Sequence, residues 1–341
     1  MASPVFRRSL LAAAVGVVGG VPRTARAGAV EQASLLVAGP DDGRLSSWAA
    51  ALTPPLLHGL PAGSSLSAQP VGGADGVTGA NLFEARFSPA GTGLMLLPGA
   101  AALAWLAGDP RVHFDAARWL PLLCGVSPGV LACRRPLVPP IARQPARLPD
   151  EQALRVAVGG PLGPDTAALL ALDLLGVSAV PVYGLVDPQA ALAAGQVDAA
   201  FLSGPAAAVL RGPNALYCLG PPDGFTAADP LLPQLPTLAG MLAGYAGDPA
   251  LLAAWRAAAA AAQLDYALVM ALVSEPASVA LWRRAATDSA DGAVLQPSFR
   301  PDVRSLAAPA CNTVLSAIAA DSGVLLAYRR WLATRLIWPP G

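Results

Sequence analysis

Between Leu154 and Ser203 the chain alternates short apolar runs with helix-forming segments, and glycine or proline marks nearly every boundary. Leu154 to Val158 is an apolar run that stops at Gly159-Gly160-Pro161, after which Pro164-Asp165-Thr166 opens an apolar helix over Ala167 to Leu175. Gly176 ends that helix, Val177 to Tyr183 is rich in β-branched residues, and Asp187-Pro188 opens a second helix through Ala194. Gly195 then precedes a last strand over Val197 to Leu202. Strands alternating with short helices can be joined this way only in a parallel sheet. In such a sheet ligands sit beyond the carboxyl ends of the strands, where helix amino termini present unpaired N–H groups. The Gly-rich loop from Gly159 to Thr166 stands at that place and suits a small anion.

The same pattern occurs earlier. A strand over Ser34 to Ala38 leads into the polar loop Gly39-Pro40-Asp41-Asp42-Gly43 and a helix from about Ser46 to Leu57. A strand near Ser65 to Gln69, a Gly-rich turn over Gly72 to Gly79, a helix over Ala80 to Phe87 and a strand over Gly93 to Leu97 follow. Two such units predict two lobes facing each other across a cleft, a division that suits 341 residues. Trp119 to Val138 reads as strand and Pro139 to Pro145 as a surface loop. After Gly240 the sequence reads as mostly helical, with helices opened by Asp248-Pro249 and by Ser274 with Pro276, and a last one over Gly323 to Ile337.

Composition removes several classes. Charged residues make up 13% and the formal net charge is zero, so the chain has no electrostatic footprint for nucleic acid. All 22 basic residues are arginine, and without lysine there is no Schiff-base nucleophile and no Walker A loop. No Gly-x-Ser-x-Gly elbow, His-Glu-x-x-His motif or Cys-x-x-Cys pair is present, so neither a catalytic centre nor a cofactor or metal site is expected. His58 and His113 sit in apolar segments next to turns and read as packing or surface residues. Cys124, Cys133, Cys218 and Cys311 admit three pairings, with Cys124–Cys133 feasible if their strands pair, or four buried thiols.

Residues 1–27 read as an export signal: Arg7-Arg8, an apolar segment from Leu10 to Val21, and Ala25-Arg26-Ala27 as the cleavage site. The arginine pair fits either a twin-arginine signal or an ordinary secretory one. The mean hydropathy of +0.51 owes much to alanine, and the run Leu94 to Ala107 is broken by Pro98-Gly99 and too short to span a membrane.

Four segments carry a family resemblance. Leu192-Ala193-Ala194-Gly195-Gln196-Val197-Asp198-Ala199-Ala200-Phe201 resembles the Gly-Gly-Gln-Val-Asp-Val-Met-Phe segment of the periplasmic solute receptors of tripartite tricarboxylate transporters. Pro89 to Leu96 resembles that family's Pro-Asp-Gly-Tyr-Thr-Leu-Leu, Val71 to Ala80 its Gly-rich turn, and Leu235-Pro236-Thr237-Leu238 its Val-Pro-Thr-Leu. The similarity covers roughly Leu35 to Gly240. It implies an α/β, two-lobed periplasmic binding protein fold of type II-like topology with the ligand cleft between lobes. Lobe 1 would comprise 28–127 completed by 231–341, and lobe 2 would comprise 128–230, with crossings near 127 and 230.

The resemblance also implies function: capture of a small organic acid by a monomeric periplasmic receptor that hands it to membrane transporter subunits. The alternative is a receptor that presents its ligand to a sensor domain, and an exported hydrolase with a non-standard site is a third reading. Carried over by position, the ligand would meet Gly39, Asp41, Gly43, Ser46, Gly73, Asp75, Thr78, Gly160, Asp165, Thr166, Tyr183 and Ser203, largely through backbone N–H groups and hydroxyls. Three of these depart from the family pattern. Asp41, Asp75 and Asp165 place carboxylates where an anion would be repelled, unless they are paired or serve as caps. With such carboxylates the ligand would carry an amine or polar group as well as an acid.

Overall fold

The computed structural model describes residues 32–86, 92–137, 153–204, 206–207, 214–225, 228–291 and 300–338. The export segment and the Pro139–Pro145 loop lie outside the described residues.

Eleven described strands form two sheets. The first, in the order β11-β4-β10-β3-β1-β2, contains β1 (Ala33–Val37), β2 (Leu66–Pro70), β3 (Gly93–Leu97), β4 (Trp119–Val126), β10 (Leu264–Ala271) and β11 (Arg304–Ala307). The second, in the order β7-β6-β8-β5-β9, contains β5 (Gly129–Cys133), β6 (Leu154–Ala157), β7 (Ala179–Val182), β8 (Ala199–Ser203) and β9 (Ala215–Cys218). The described helices of six residues or more are α1 (Arg44–His58), α2 (Val77–Arg86), α3 (Gly99–Ala107), α4 (Asp165–Leu174), α5 (Pro188–Ala193), α6 (Pro249–Gln263), α7 (Pro276–Asp291), α8 (Ala310–Ile318) and α9 (Ser322–Leu336).

Each sheet contains one copy of the same unit. β1 lies between β2 and β3 with all three parallel, and β6 lies between β7 and β8 with all three parallel. Alternation along β1 serves both faces: Leu35 and Val37 pack with Trp48 and Leu52 of α1, whereas Leu36 and Ala38 join Phe83 of α2 and Leu103 of α3. The second unit repeats this, with Val156 beside α4 on one face and Ala157 beside Leu192 of α5 on the other. The neighbours of β1 and of β6 are thus reached by connections on opposite faces, which opens a crevice at the carboxyl end of each central strand.

The two crevices are turned toward the same region by the crossing strands. β10 is antiparallel to both β3 and β4, and Leu264 opposes Val126, so β4 leaves the first sheet at the end where β1, β2 and β3 finish. β5 enters the second sheet with Gly129 opposite Ser203, at the end where β8 finishes. The chain returns to the first sheet between Cys218 and Leu264, by way of α6.

Gln263, the last residue of α6 and only 1% exposed, ties these passages together. Its Oε1 accepts from Gly129 N at 3.3 Å, its Nε2 donates to Gly220 O at 2.9 Å, and its own carbonyl accepts from Ser127 N at 2.9 Å. Above it, α3 starts against α6 so closely that a Cβ on Gly99 would stand 2.1 Å from Ala261 O. Alanine over 257–261 makes the contact possible, and one apolar cluster runs from α3 through α6 to α4.

The structure differs from the sequence reading in particular places. The mostly helical reading after Gly240 names no strand, yet β10 is the central partner of β3 and β4. α3, β11 and α8 were also not anticipated. Cys124 and Cys133 lie on strands of different sheets, so the pairing condition for a bridge between them fails. All four cysteines are buried free thiols. Among the described residues no single helix is long and apolar enough to cross a membrane.

Replacing Gln263 by Leu is expected to leave Gly129 N–H and Gly220 C=O buried without partners. At about 1–3 kcal/mol for each unsatisfied group, urea unfolding should show a loss of about 2–5 kcal/mol. A loss below about 0.5 kcal/mol, the size of an ordinary surface change, would show that water replaces the side chain there.

Candidate functional site

Four helices of the two repeated units begin at the carboxyl ends of the parallel strands, and each has first-turn N–H groups with no partner inside the helix. The chain supplies three of them with a carboxylate of its own. At α2, Asp75 Oδ1 accepts from Val77 N at 3.2 Å while its Oδ2 meets Arg111 Nη1 at 2.8 Å. At α5, the N-cap Asp187 accepts from Ala190 N at 2.9 Å. At α4, the side chain of Asp165 turns back so that Oδ2 accepts from Gly159 N.

α1 is different. Its N-cap is Gly43, which offers no side-chain bond, and its first turn holds no acidic residue. Arg44 opens the helix and its guanidinium, half exposed, meets the buried carboxylate of Asp265 at 3.0 Å. Asp265 also accepts from Trp48 Nε1, and Arg300 approaches it at 4.0 Å while pairing with Asp302 at 2.8 Å. This cluster borders the second sheet: a Cβ on Gly204, just after β8, would stand 2.8 Å from Asp302 Oδ2. A cavity of about 210 Å³ lies there, lined by Pro128, Gly204, Leu231, Leu232, Pro301 and Asp302. A larger one of about 490 Å³ is lined by Trp105, Asp109, Phe114 and Arg329 among others, and neither cavity is lined by any of the twelve residues singled out from sequence.

Those twelve divide by what their side chains and amides do. Gly39 is buried and donates to Val37 O, and Ser46 Oγ donates to Pro40 O at 2.8 Å, which closes the β1–α1 loop on itself. Gly43 N donates to the same Pro40 carbonyl, and Asp41 is exposed. Gly73 and Thr78 are exposed at the start of α2, and Gly160 accepts from Gly163 N in the β6–α4 turn. Tyr183 and Ser203 are exposed at the ends of β7 and β8. Thr166 is fully buried, and its hydroxyl pairs with Gly163 O at 2.7 Å and Tyr328 Oη at 3.0 Å. It is therefore committed to joining α4 to α9. Asp265, Arg300 and Asp302 were missed, because nothing in their local sequence marks segments so distant as neighbours of α1.

Asp165 is the most perturbed group among the predicted positions. It is 8% exposed, and burial pushes its carboxyl from the ordinary 3.8 to about 6, against the opposing effect of Gly159 N–H. Among the described residues it forms no ion pair. Among the described residues no cluster of side chains suited to a metal ion occurs either.

No family model matches the chain, and no curated protein matches it. Solved structures do. A TctC solute binding protein from Polaromonas superposes with a TM-score of 0.62 at 16% identity, over 86% of this chain and 97% of that one. A Rhodopseudomonas palustris protein with adipate gives 0.53 at 18% identity, over 87% and 97%. MatC of Rhodopseudomonas palustris, with bound malate, gives 0.50 at 19% identity, over 88% and 97%. The fold is therefore that of the periplasmic solute-binding proteins. TctC- and Bug-type receptors, the group resembled by the four sequence segments, are among the proteins that share it.

A carboxyl whose folded-state value is raised binds its proton more tightly when folded. Its stabilising contribution is full below about pH 3.8 and is lost as pH rises through about 6. Asp165→Asn should therefore raise stability at pH 7.5 by about 3 kcal/mol, from roughly 1.4 kcal/mol per pH unit, and the gain should vanish toward pH 4. Melting curves of both proteins across that range test it, and a gain that does not change with pH would refute the assignment.

Proposed function

We propose that the protein is an exported solute-binding protein that captures a small carboxylate between its two sheets and delivers it to a tripartite tricarboxylate-type membrane transporter. One observation carries this reading: the same β–α–β–α–β unit occurs in each sheet, with both crevices opening at the end where the chain crosses between the sheets and Gln263 ties the crossings. Two of the similar solved structures hold malate and adipate, which supports an organic acid as the ligand. The open amino terminus of α1 supports the same class, because oriented N–H groups favour an anion. Export through residues 1–27, with cleavage near Ala27, places the receptor in the periplasm, and a monomer suffices for the task.

Capture needs only that the closed arrangement bind the acid better than the open one. In a thermal-shift screen of residues 28–341 against organic acids, a ligand at 100 times its Kd should add about 2.7 kcal/mol of stability. Ser203→Trp and Thr78→Trp, which place bulk at exposed positions on either side, should remove the shift without lowering the melting temperature of the free protein. Shifts that survive both substitutions would mean that the acid binds elsewhere, and no shift with any acid would defeat the reading.

A further inference from the structure

Asp165 is an uneconomical residue if folding is its only role. A carboxylate nine-tenths buried and without a cation opposes folding at neutral pH, whereas Asp75 is paired with Arg111 and Asp187 is exposed. The β6–α4 loop is shaped around it. Gly159 N–H points at Oδ2, and Gly163 approaches so closely that a Cβ there would stand 2.1 Å from Oδ1. Asp165 also lies at the carboxyl end of β6, the central strand of the repeated unit, where the crevice of the second sheet opens. Burial raises the Tyr183 hydroxyl at the adjoining strand end above its ordinary value, and the Asp165 carboxylate adds to that while Arg335 opposes it.

The corresponding position in the first sheet has the opposite character. There α1 begins with Gly43 and Arg44 and holds no carboxylate in its first turn. An acid seated between the two would meet oriented donors on one side and a fixed negative charge on the other. From this asymmetry, and resting on the receptor reading above, we infer that Asp165 is a specificity residue that excludes diacids. By occupying the anion seat of the second sheet, it restricts the ligand to a single carboxylate with a hydrogen-bond-donating far end: an amide, a hydroxyl or an ammonium group. The exposed hydroxyls of Tyr183 and Ser203 at the neighbouring strand ends complete a polar surface for such an end.

The test uses acids of three to six carbons, each in four forms that differ only at the far end: carboxylate, amide, ammonium and methyl. Binding is measured by calorimetry at pH 7.5 on the wild type, Asp165→Asn and Asp165→Ser, with circular dichroism confirming that each variant is folded. Asparagine keeps the shape without the charge, and serine empties part of the seat while keeping an acceptor for Gly159 N–H. At the chain length that binds best, the wild type should prefer the amide or ammonium form over the diacid by at least about tenfold. In the variants the diacid should gain about tenfold or more and the ammonium form should weaken. Equal affinity of the wild type for diacid and monoacid, or an unchanged preference in both folded variants, would overturn the inference and leave the receptor reading standing. If no member of the series binds the wild type, the receptor reading fails and this inference fails with it.

Discussion

Gln263 holds together the two passages by which the chain moves between its sheets. Its amide bonds to Gly129 at the start of β5 and to Gly220 just after β9, and its carbonyl bonds to Ser127 just after β4. It is itself the junction between α6 and β10. Every donor and acceptor here is buried, so each bond would cost on the order of 1–3 kcal/mol if left unmade. An apolar side chain could fill the space but could not satisfy two backbone groups of opposite kind. The position of one sheet relative to the other, and so the existence of a cleft, depends on this junction.

The helices around the junction make the same point through packing. Alanine over 257–261 lets α3 and α4 lie close against α6, and Trp255 Nε1 donates to Ala167 O at 3.1 Å. The apolar cluster is therefore continuous between the sheets. A movement that widens the cleft has to slide α4 along α6 or carry α6 with it. Alanine faces allow such sliding at small cost, because they lack the long side chains that interlock.

The repeated unit was legible in the sequence, and the reason is punctuation. Gly159-Gly160, Gly176 and Gly195 break the second unit into short runs, and Gly39, Gly72 and Gly93 do the same for the first. β10 was not legible. α6 passes into Leu264 with no glycine or proline between, and all eight residues of β10 are buried, so its sequence has no alternation to read. α3 was hidden for a related reason: Pro98-Gly99 reads as a break, and a helix buried nearly all round shows no period of 3.6. At the site, the loops were found but not the directions of their side chains. Thr166 could be assigned to the cleft until Tyr328, 162 residues away, was seen to take its hydroxyl.

Charge is scarce in this chain, which gives each placed carboxylate more weight. With no lysine and a net charge of zero, the field in the cleft is set by a few arginines and aspartates. Those of the first sheet largely cancel in pairs: Arg44 with Asp265, Arg300 with Asp302, and Arg111 with Asp75 and Asp109. Asp41 and Asp42, just ahead of α1, are exposed, whereas the carboxylate of Asp165 is buried without a cation. The open amino terminus of α1 and this carboxylate have opposite sign and stand at helix starts of different sheets. On the receptor reading proposed above, a ligand would enter with its acid toward α1, and closure would depend on what its other end presents to Asp165. On that reading affinity on the first side and discrimination on the second would belong to different sheets of one repeated fold, through a difference of two residues at equivalent helix starts.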